Sequence, residues 1–404
     1  MHEIVAFGTV VIAVSGAFYL AVFSTKLTRT VPVPAPALFL LGAALASDLW
    51  PRLERDVSIR AVERIGVVAL IVILFDGGMR IGRRRFLQAA APIVSLGVLG
   101  TFATAALLAL AAHFLLDFSW TTSSLLGAAL APTDPAVMFS VLGNREVGGR
   151  TGTILEGESG ANDPVGISLM VGLLAYATSS HGSPWTTVRE FAIEMAVGLA
   201  IGVAGGIVLA QLMRRISLPR EGLYPLRTLA AAGVIYGAAA VAHGSGFLAV
   251  FVAGLILKDV RAPYKEQIER FHSSLASLAE IVVFVALGLT VDLGGLGDRH
   301  LWLDGIVLAV VLAFAARPLV VGTLLAPAAL SRGEKTFVMC GGLKGAVPIL
   351  LAALAVIGGA ADARDIYEIV FVVVAFSVVV QGATIPFAAA RLGVPMQYVE
   401  PEHQ

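Results

Sequence analysis

Long apolar segments separated by short polar connections run along the whole 404-residue chain. A helix needs about twenty apolar residues to cross the roughly 30 Å hydrocarbon layer of a membrane, and segments near this length recur from end to end. Division of the chain at its charged or Pro/Gly-rich breaks predicts about thirteen membrane-spanning helices. They lie near residues 4–23, 34–49, 59–79, 88–115, 120–143, 151–178, 186–213, 223–242, 246–258, 273–291, 301–329, 335–358 and 366–390.

Composition agrees with this pattern, because 57% of the residues are hydrophobic and only 14% are charged. A water-soluble domain of this size does not reach such a balance, and membrane β-barrels show an alternating pattern instead. We therefore predict an all-α polytopic membrane protein. The net charge is zero, so nothing in the charge argues for nucleic acid as a partner. The single Cys340 excludes an internal disulfide, and the first apolar segment lacks the basic residues of a signal peptide, so we expect a retained helix.

The distribution of Lys and Arg predicts the orientation of the chain. Connections on one side of the predicted membrane hold 18 of these residues and connections on the other side hold 6. Basic residues accumulate on the cytoplasmic side of membrane proteins. We therefore expect a protein of the cell inner membrane with its N-terminus outside and its C-terminus in the cytoplasm.

The order of the predicted helices suggests two related halves. The most polar break, at 214–221, follows the seventh span and leaves six helices on either side of one linking helix. Because six is even, a second copy of the first half would be inverted in the membrane. We predict a first inverted repeat plus linking helix in 1–213, a second repeat in 214–392 and a short cytoplasmic tail in 393–404.

Proline and glycine interrupt the fifth span of each half. The two interruptions lie at 131–135 (Ala-Pro-Thr-Asp-Pro) and at 341–348 (Gly-Gly-Leu-Lys-Gly-Ala-Val-Pro). Paired breaks of this kind predict two crossed discontinuous helices with a substrate site at the membrane midplane, although simple proline kinks are the alternative. Asp134 and Lys344 are well placed to neutralise opposite ends of the half-helices, which carry partial charges.

Ionisable residues inside the predicted spans are costly, at about 2.5 kcal/mol or more each, so we expect them to be paired or functional. The candidates are Asp76, Asp134, Glu158, Asp163, Arg317 and Lys344, with Glu280 as a seventh. Acids outnumber bases in this set, and a low-dielectric site disfavours several bare carboxylates, so some must hold a proton or a cation. Exchange of the two is the natural chemistry. Glu280 is expected near a helix start and is not counted as a site residue.

The densest polar cluster occupies 156–164. On a helix, Ser159, Asn162 and Asp163 converge on one side, and their oxygen atoms suit a poorly polarising cation such as Na⁺ or K⁺. We expect Asp163, Ser159 and Asp134 to bind this ion, with the backbone carbonyl freed at Thr133 nearby.

Two further placements follow from the buried charges. Glu158 projects elsewhere from the same helix and is paired with Arg317, either as structural support or as a substrate contact. Asp76 follows a long apolar run and is either a gate carboxylate or an interfacial cap.

Four motifs occur in an order that resembles the monovalent cation/proton antiporters of the sodium/proton exchanger superfamily, in the branch with Asn before the essential Asp. They are Thr133-Asp134-Pro135, the segment 158–164, Ala316-Arg317-Pro318 and the segment 341–346. The resemblance covers essentially the whole chain. The segments 74–78, 243–248 and 345–349 are similar to bacterial potassium/proton antiporters associated with cell-volume regulation.

The resemblance implies a core domain that holds the crossed helices and a dimerisation domain, both interleaved across the two repeats, in a membrane homodimer surrounded by lipids. It implies that Asp163 binds cation and proton alternately. Thr133, Asp134, Ser159 and Asn162 would complete or support the site, and Glu158 and Arg317 would form a buried bridge. Asp76 stands where the family often has Glu, and Lys344 stands where it usually has Arg.

The predicted function is therefore antiport of K⁺ or Na⁺ against H⁺, with a role in pH homeostasis, no cofactor and no enzymatic activity. Asn162, in place of a second acid, suggests an electroneutral cycle. Na⁺ and K⁺ use the same ligand types, so both ions remain possible. A cation channel is one alternative. An intramembrane serine hydrolase using Ser159 is a remote one, because it needs a histidine base within the membrane.

Overall fold

The computed structural model describes residues 19, 34–49, 58–142, 145–178, 184–298 and 300–398. Within this part of the chain the protein is almost entirely helical, with one two-stranded ribbon. The first predicted span, 4–23, lies outside the described residues except for Tyr19.

The described chain forms sixteen helical segments, α1 to α16, and two short strands. Their bounds are α1 Ala35–Leu49, α2 Ile59–Ile81, α3 Arg83–Gln88, α4 Ala90–Leu116, α5 Trp120–Leu130, α6 Pro135–Leu142, β1 Arg145–Val147, α7 Gly149–Thr178, α8 Pro184–Arg215, α9 Leu223–Val241, α10 Gly246–Lys258, α11 Lys265–Gly288, α12 Leu293–Asp298, α13 Leu301–Leu324, α14 Arg332–Cys340, α15 Ala346–Ile357, α16 Ala363–Arg391 and β2 Met396–Tyr398.

The apolar segments of the sequence correspond to these helices. Every predicted span from 34–49 onward coincides with a helix or with a pair of half-helices. Five helices among the described residues have the length and apolar composition to cross a membrane, and the bent pair α5/α6 makes a sixth. The 30-residue α7 is not one of them, since polar residues such as Glu158 and Asp163 lower its hydropathy.

Two pairs of half-helices meet at their breaks. Helices α5 and α6 differ in direction by 44° across residues 131–134. The second pair, α14 and α15, is interrupted at 341–345. The backbone N–H of Asp134 in the first break donates to the carbonyl of Leu343 in the second at 2.8 Å. Because proline lacks an N–H and glycine favours irregular backbone, these sequences end each helix and leave polar backbone groups free at the junction.

Helix α7 is packed closely into the centre of this arrangement. A Cβ atom at Gly160 would overlap the ring of Phe251, and one at Gly166 would overlap the ring of Pro132 in the first break. Glycine at these two positions therefore allows α7 to approach both α10 and the broken helix. This close approach brings the polar cluster of α7 to the crossing.

Three of the helices contain a π-helical turn. These turns are Ser95–Gly100 in α4, Leu312–Ala316 in α13 and Ser377–Gln381 in α16. The second ends immediately before Arg317, and the hydroxyl of Ser377 in the third accepts a hydrogen bond from the backbone N–H of Lys344 at 2.9 Å. Such turns widen a helix locally and are frequent at functional sites.

Short contacts join several helix ends at one rim of the molecule. Strands β1 and β2 pair in antiparallel register, with Glu146 opposite Gln397. The N–H of Gly148 donates to the carbonyl of Pro395 at 2.8 Å. The hydroxyl of Thr151 at the start of α7 donates to Glu334 at the start of α14 at 2.7 Å. We refer to these contacts as the rim.

The sequence-based placement of Glu280 near a helix start was wrong. Helix α11 begins at Lys265 and not near 273, so Glu280 lies in its second half. The first turns of α11 are polar, so the apolar pattern of the sequence begins only after them. They are helical because charges four residues apart pair along the exposed surface, as Arg270 does with Glu266 at 2.6 Å.

Candidate functional site

Asp163 lies on α7 and is almost completely buried, with 4% of its surface exposed. Its Oδ1 atom is buried and has no hydrogen-bond partner among the described residues. The residue borders a cavity of about 110 Å³, which we call the inner cavity. Ser159, one turn earlier on the same helix, and Asp134 in the first break border it too. The structure therefore brings together three of the residues expected to bind a cation.

Asn162 and Thr133 hold the first break against α7. The Asn162 side-chain amide donates to the hydroxyl of Thr133 at 2.8 Å, and the Thr133 backbone N–H donates back to the Asn162 side chain at 3.4 Å. Both residues are buried. The amide thus satisfies polar groups that the break would otherwise leave unpaired.

Asp134 is the last residue of the first break and contacts the second break. Its carboxylate accepts a hydrogen bond from the N–H of Ala136 at 2.8 Å, in the first turn of α6. A negative group is stabilised there by the partial positive charge of a helix N-terminus. A Cβ atom at Gly345 would overlap this carboxylate, so Asp134 also abuts the glycine that precedes α15.

Lys344 neutralises the opposite kind of helix end. Its side chain is fully buried, and the ammonium group donates to the carbonyls of Ala131 at 2.9 Å and Pro132 at 2.7 Å. These carbonyls directly follow the end of α5, where the helix dipole is negative. Asp134 and Lys344 thus lie at helix ends of opposite polarity, as the sequence suggested.

Glu158 and Arg317 form a buried bidentate pair. Arg317 Nη1 contacts Glu158 Oε1, and Arg317 Nη2 donates to Glu158 Oε2 at 3.0 Å. Arg317 Nη2 also donates to the carbonyl of Val338 at 3.2 Å, which joins α13 and α7 to α14. Neither residue borders the inner cavity. The pair therefore lies outside the space next to Asp163.

Asp76 lies inside the protein and not at an exposed helix end. It is 4% exposed and borders the inner cavity. Its carboxylate accepts a hydrogen bond from Arg80 Nε at 2.7 Å, and Arg80 Nη2 donates to the hydroxyl of Ser273 on α11 at 3.0 Å. Asp76 thus borders the same cavity as Asp163, and its role as a gate carboxylate or an interfacial cap stays a prediction.

Two further carboxylates that the sequence analysis did not count as site residues, Glu156 and Glu280, border the inner cavity. Glu156 is seven residues before Asp163 on α7, a spacing that places both on the same helix face, so the sequence contained this signal. Glu280 reaches the cavity from α11.

The inner cavity combines several carboxylates with hydroxyl and backbone oxygens. Among the described residues, no group of three or more His, Cys, Asp or Glu side chains is arranged to hold a metal ion. None of the described histidines borders the cavity, so among the described residues Ser159 has no histidine base there, as the hydrolase alternative would need. A weakly held monovalent cation, or a proton, suits these hard oxygen ligands.

Comparison with known proteins identifies the family. Residues 4–391 match the family described as "Sodium/hydrogen exchanger, transmembrane". The K(+)/H(+) antiporter NhaP of Alkalimonas amylolytica is 33% identical over 396 residues, covering 97% of this chain and 68% of the relative. The K(+)/H(+) antiporter NhaP2 of Shewanella sp. (strain ANA-3) is 32% identical over 382 residues, covering 93% of this chain and 66% of the relative.

A less similar relative and a solved structure extend this comparison. The Na(+)/H(+) antiporter ApNhaP of Aphanothece halophytica is 28% identical over 346 residues, covering 82% of this chain and 65% of the relative. The sodium proton antiporter MjNhaP1 of Methanocaldococcus jannaschii, solved at pH 8, has a TM-score of 0.80 at 22% identity, covering 95% of this chain and all of the other.

The chain spans about two thirds of the length of these curated relatives. The match to MjNhaP1 confirms the fold and, at its low identity, the fold alone. The family comprises transporters and not enzymes, as the sequence analysis predicted. On the family match across 4–391 and the identity to the first two relatives, the chain belongs to the sodium/hydrogen exchanger family of membrane cation/proton antiporters.

Proposed function

We propose that this chain exchanges a monovalent cation for protons across a membrane, and that Asp163 binds the two in turn. The observation that carries the proposal is the buried Asp163 carboxylate, which has an unpartnered oxygen and borders a cavity where two broken helices cross. A bare carboxylate in such surroundings is unstable, so a proton or a cation must neutralise it.

Competition for one carboxylate obliges exchange. When Asp163 is deprotonated, a partly dehydrated cation binds to it with Ser159, Asp134 and the backbone of Thr133 as further oxygen ligands. Protonation displaces the cation. Alternating access follows if the core domain changes between its outward- and inward-facing orientations only when a cation or a proton neutralises Asp163. Acid pH should lower activity, because the proton then outcompetes the cation.

Potassium is the first ion to test. The two relatives at 32–33% identity are named K(+)/H(+) antiporters. Sodium is the second, since the relative at 28% identity is named an Na(+)/H(+) antiporter. Both ions accept the oxygen ligands of the site, and the cavity size and rigidity decide between them.

We also propose an electroneutral cycle of one cation for one proton. Asn162, beside Asp163, carries no charge and is already engaged with Thr133. One carboxylate that alternates between a monovalent cation and a proton moves no net charge.

The proposed architecture has about thirteen spans in two inverted six-helix repeats, with boundaries at 1–213, 214–392 and 393–404. The two broken pairs in corresponding places of each half support it. We propose a homodimer in the inner membrane, with the N-terminus outside, the C-terminus in the cytoplasm and a role in pH homeostasis. Helix α8 supports contact with a second copy or with lipid, because only 22% of its apolar window is buried.

The test is cation-induced collapse of a preformed proton gradient in everted membrane vesicles, with K⁺, Na⁺ and Li⁺ added in turn. We expect the unsubstituted protein to respond and Asp163→Asn to be silent, because the amide cannot exchange a proton. Asp48→Asn, the same change at an exposed position of α1, should behave as the unsubstituted protein does. An equal response from Asp163→Asn would show that the site lies elsewhere.

The same vesicles separate antiport from the channel alternative. A channel passes the cation down its own gradient without moving protons in a fixed ratio. Cation flux that continues after the proton gradient is abolished, and that leaves internal pH unchanged, would contradict the exchange proposed for Asp163.

A further inference from the structure

Glu280 on α11 has no part in the cation site proposed above, yet it borders the inner cavity. We propose that Glu280 is a positioning residue that attracts the incoming cation and passes it to Asp163, at the end of a polar path along α11. This inference rests on the proposed antiport function.

A second cavity lies beside the inner one and opens to the surface. This outer cavity has a volume of about 470 Å³. Its lining includes Lys258 at the end of α10 and two charged residues near the polar start of α11, Glu269 and Arg270. Both cavities are bordered by Asp76 and Arg80, so this ion pair marks the neck between them. A cation that enters from the outer cavity passes the pair to reach Asp163.

Helix α11 supplies a polar wall along this route. Ser273 borders the outer cavity, and Ser277 and Glu280 border the inner one. Spacings of four and three residues place all three on one face of the helix. At 1.5 Å rise per residue this polar stripe is roughly 10 Å long. It joins the neck, where Ser273 accepts a hydrogen bond from Arg80, to the space beside Asp163.

Glu280 differs from Asp76, the carboxylate at the neck, because no described residue forms a hydrogen bond or ion pair with it. Asp76 is neutralised by Arg80 at 2.7 Å. Glu280 Oε1 is buried without a hydrogen-bond partner among the described residues. A buried carboxylate without a partner is unstable as a bare anion, so a cation in the inner cavity beside Glu280 stabilises it.

The position of Glu280 therefore implies a role in capture and not in the exchange step. Removing its charge lowers the local concentration of the cation and leaves Asp163 able to alternate between cation and proton. The apparent KM for the cation should rise while the maximal rate is kept.

The experiment measures exchange as a function of K⁺ or Na⁺ concentration, at one pH, in vesicles with Glu280→Gln. We expect the apparent KM for the cation to rise about three- to tenfold, because one nearby charge is lost in a medium of intermediate dielectric. The maximal rate should stay within about twofold of that of the unsubstituted protein. Glu280→Asp keeps the charge and should stay close to the unsubstituted protein. Glu266→Gln makes the same change on the exposed start of α11, outside both cavities, and should leave the KM unchanged.

A second variant keeps the test valid if Glu280→Gln folds poorly. Ser277→Asp adds a carboxylate to the polar stripe and should lower the apparent KM below that of the unsubstituted protein. Combined with Glu280→Gln, it should bring the KM below that of Glu280→Gln alone. An unchanged KM in both variants, or an equal shift in Glu266→Gln, would overturn the assignment. Absence of exchange in the unsubstituted protein would instead refute the antiport function itself, so the two failures are distinguishable.

Discussion

Loss of one partner from the Glu158–Arg317 bridge should destabilise the protein more than loss of both. Arg317→Met leaves a lone buried carboxylate on α7, and Glu158→Gln leaves a lone buried guanidinium on α13. The double variant Glu158→Leu/Arg317→Met removes both charges and fills similar space with apolar side chains. This set of variants asks whether the bridge supports the fold or takes part in transport.

The magnitude follows from the burial and geometry of the pair. The two side chains are only 8% and 3% exposed, and the contact is bidentate. Breaking such a pair costs about 3–5 kcal/mol, because the remaining charge is left without compensation. Arg317→Met also frees the carbonyl of Val338, at a cost of about 1 kcal/mol. The double variant should lose no more than about 2 kcal/mol, since replacing both charges by apolar groups is often neutral.

The protein is purified in a mild detergent and unfolded by adding a denaturing detergent, and tryptophan fluorescence monitors the unfolding. The melting temperature, measured by size-exclusion chromatography of heated samples, gives a second value of stability. We expect each single variant to unfold well before the double variant. A double variant as unstable as the sum of the singles would show that the two charges are not coupled. If the double variant is stable but silent in the vesicle assay, the pair acts in transport and is not purely structural.

Two other substitutions test the crossing of the broken helices. Lys344→Gln removes the ammonium group from two backbone carbonyls and should cost about 1.5–3 kcal/mol of stability for each charged hydrogen bond. Lys344→Arg keeps the charge and should fold. Equal melting temperatures for Lys344→Gln and the unsubstituted protein would refute this. Gly345→Ala places a methyl group where the Asp134 carboxylate lies and should abolish exchange. Gly237→Ala adds the same group at a position with open space around it and should not affect exchange. Equal exchange rates for the two variants would show that the junction tolerates the methyl group.

Much of the site could be predicted from the sequence because charges within a membrane are costly. Asp163, Glu158 and Arg317 stand out in apolar surroundings, and the requirement for a partner leads directly to the buried bridge. The helix ends beside Asp134 and Lys344 were predictable for a similar reason, since Pro and Gly leave backbone dipoles that need opposite charges. Their roles in ion binding stay predictions.

Other features left no clear signal in the sequence. The polar first turns of α11 resemble a loop, so the apolar pattern places the start of this helix too late and Glu280 too close to that start. The π-helical turns arise from packing between neighbouring helices, which local propensity does not determine. The pairing of β1 with β2 joins short polar segments that are far apart in the chain, and three-residue strands show no periodic pattern.

The rim has a mechanical consequence for the proposed exchange cycle. An isolated two-stranded ribbon is only marginally stable, so β1 and β2 act as a crosslink between helices that are already packed. Together with the contact from Thr151 to Glu334, this crosslink couples the starts of α7 and α14 to the segment after α16. Helix α7, which carries Asp163, and half-helix α14, which leads to Lys344, are therefore joined at their starts. We expect a displacement at this end of one helix to move the other helix with it.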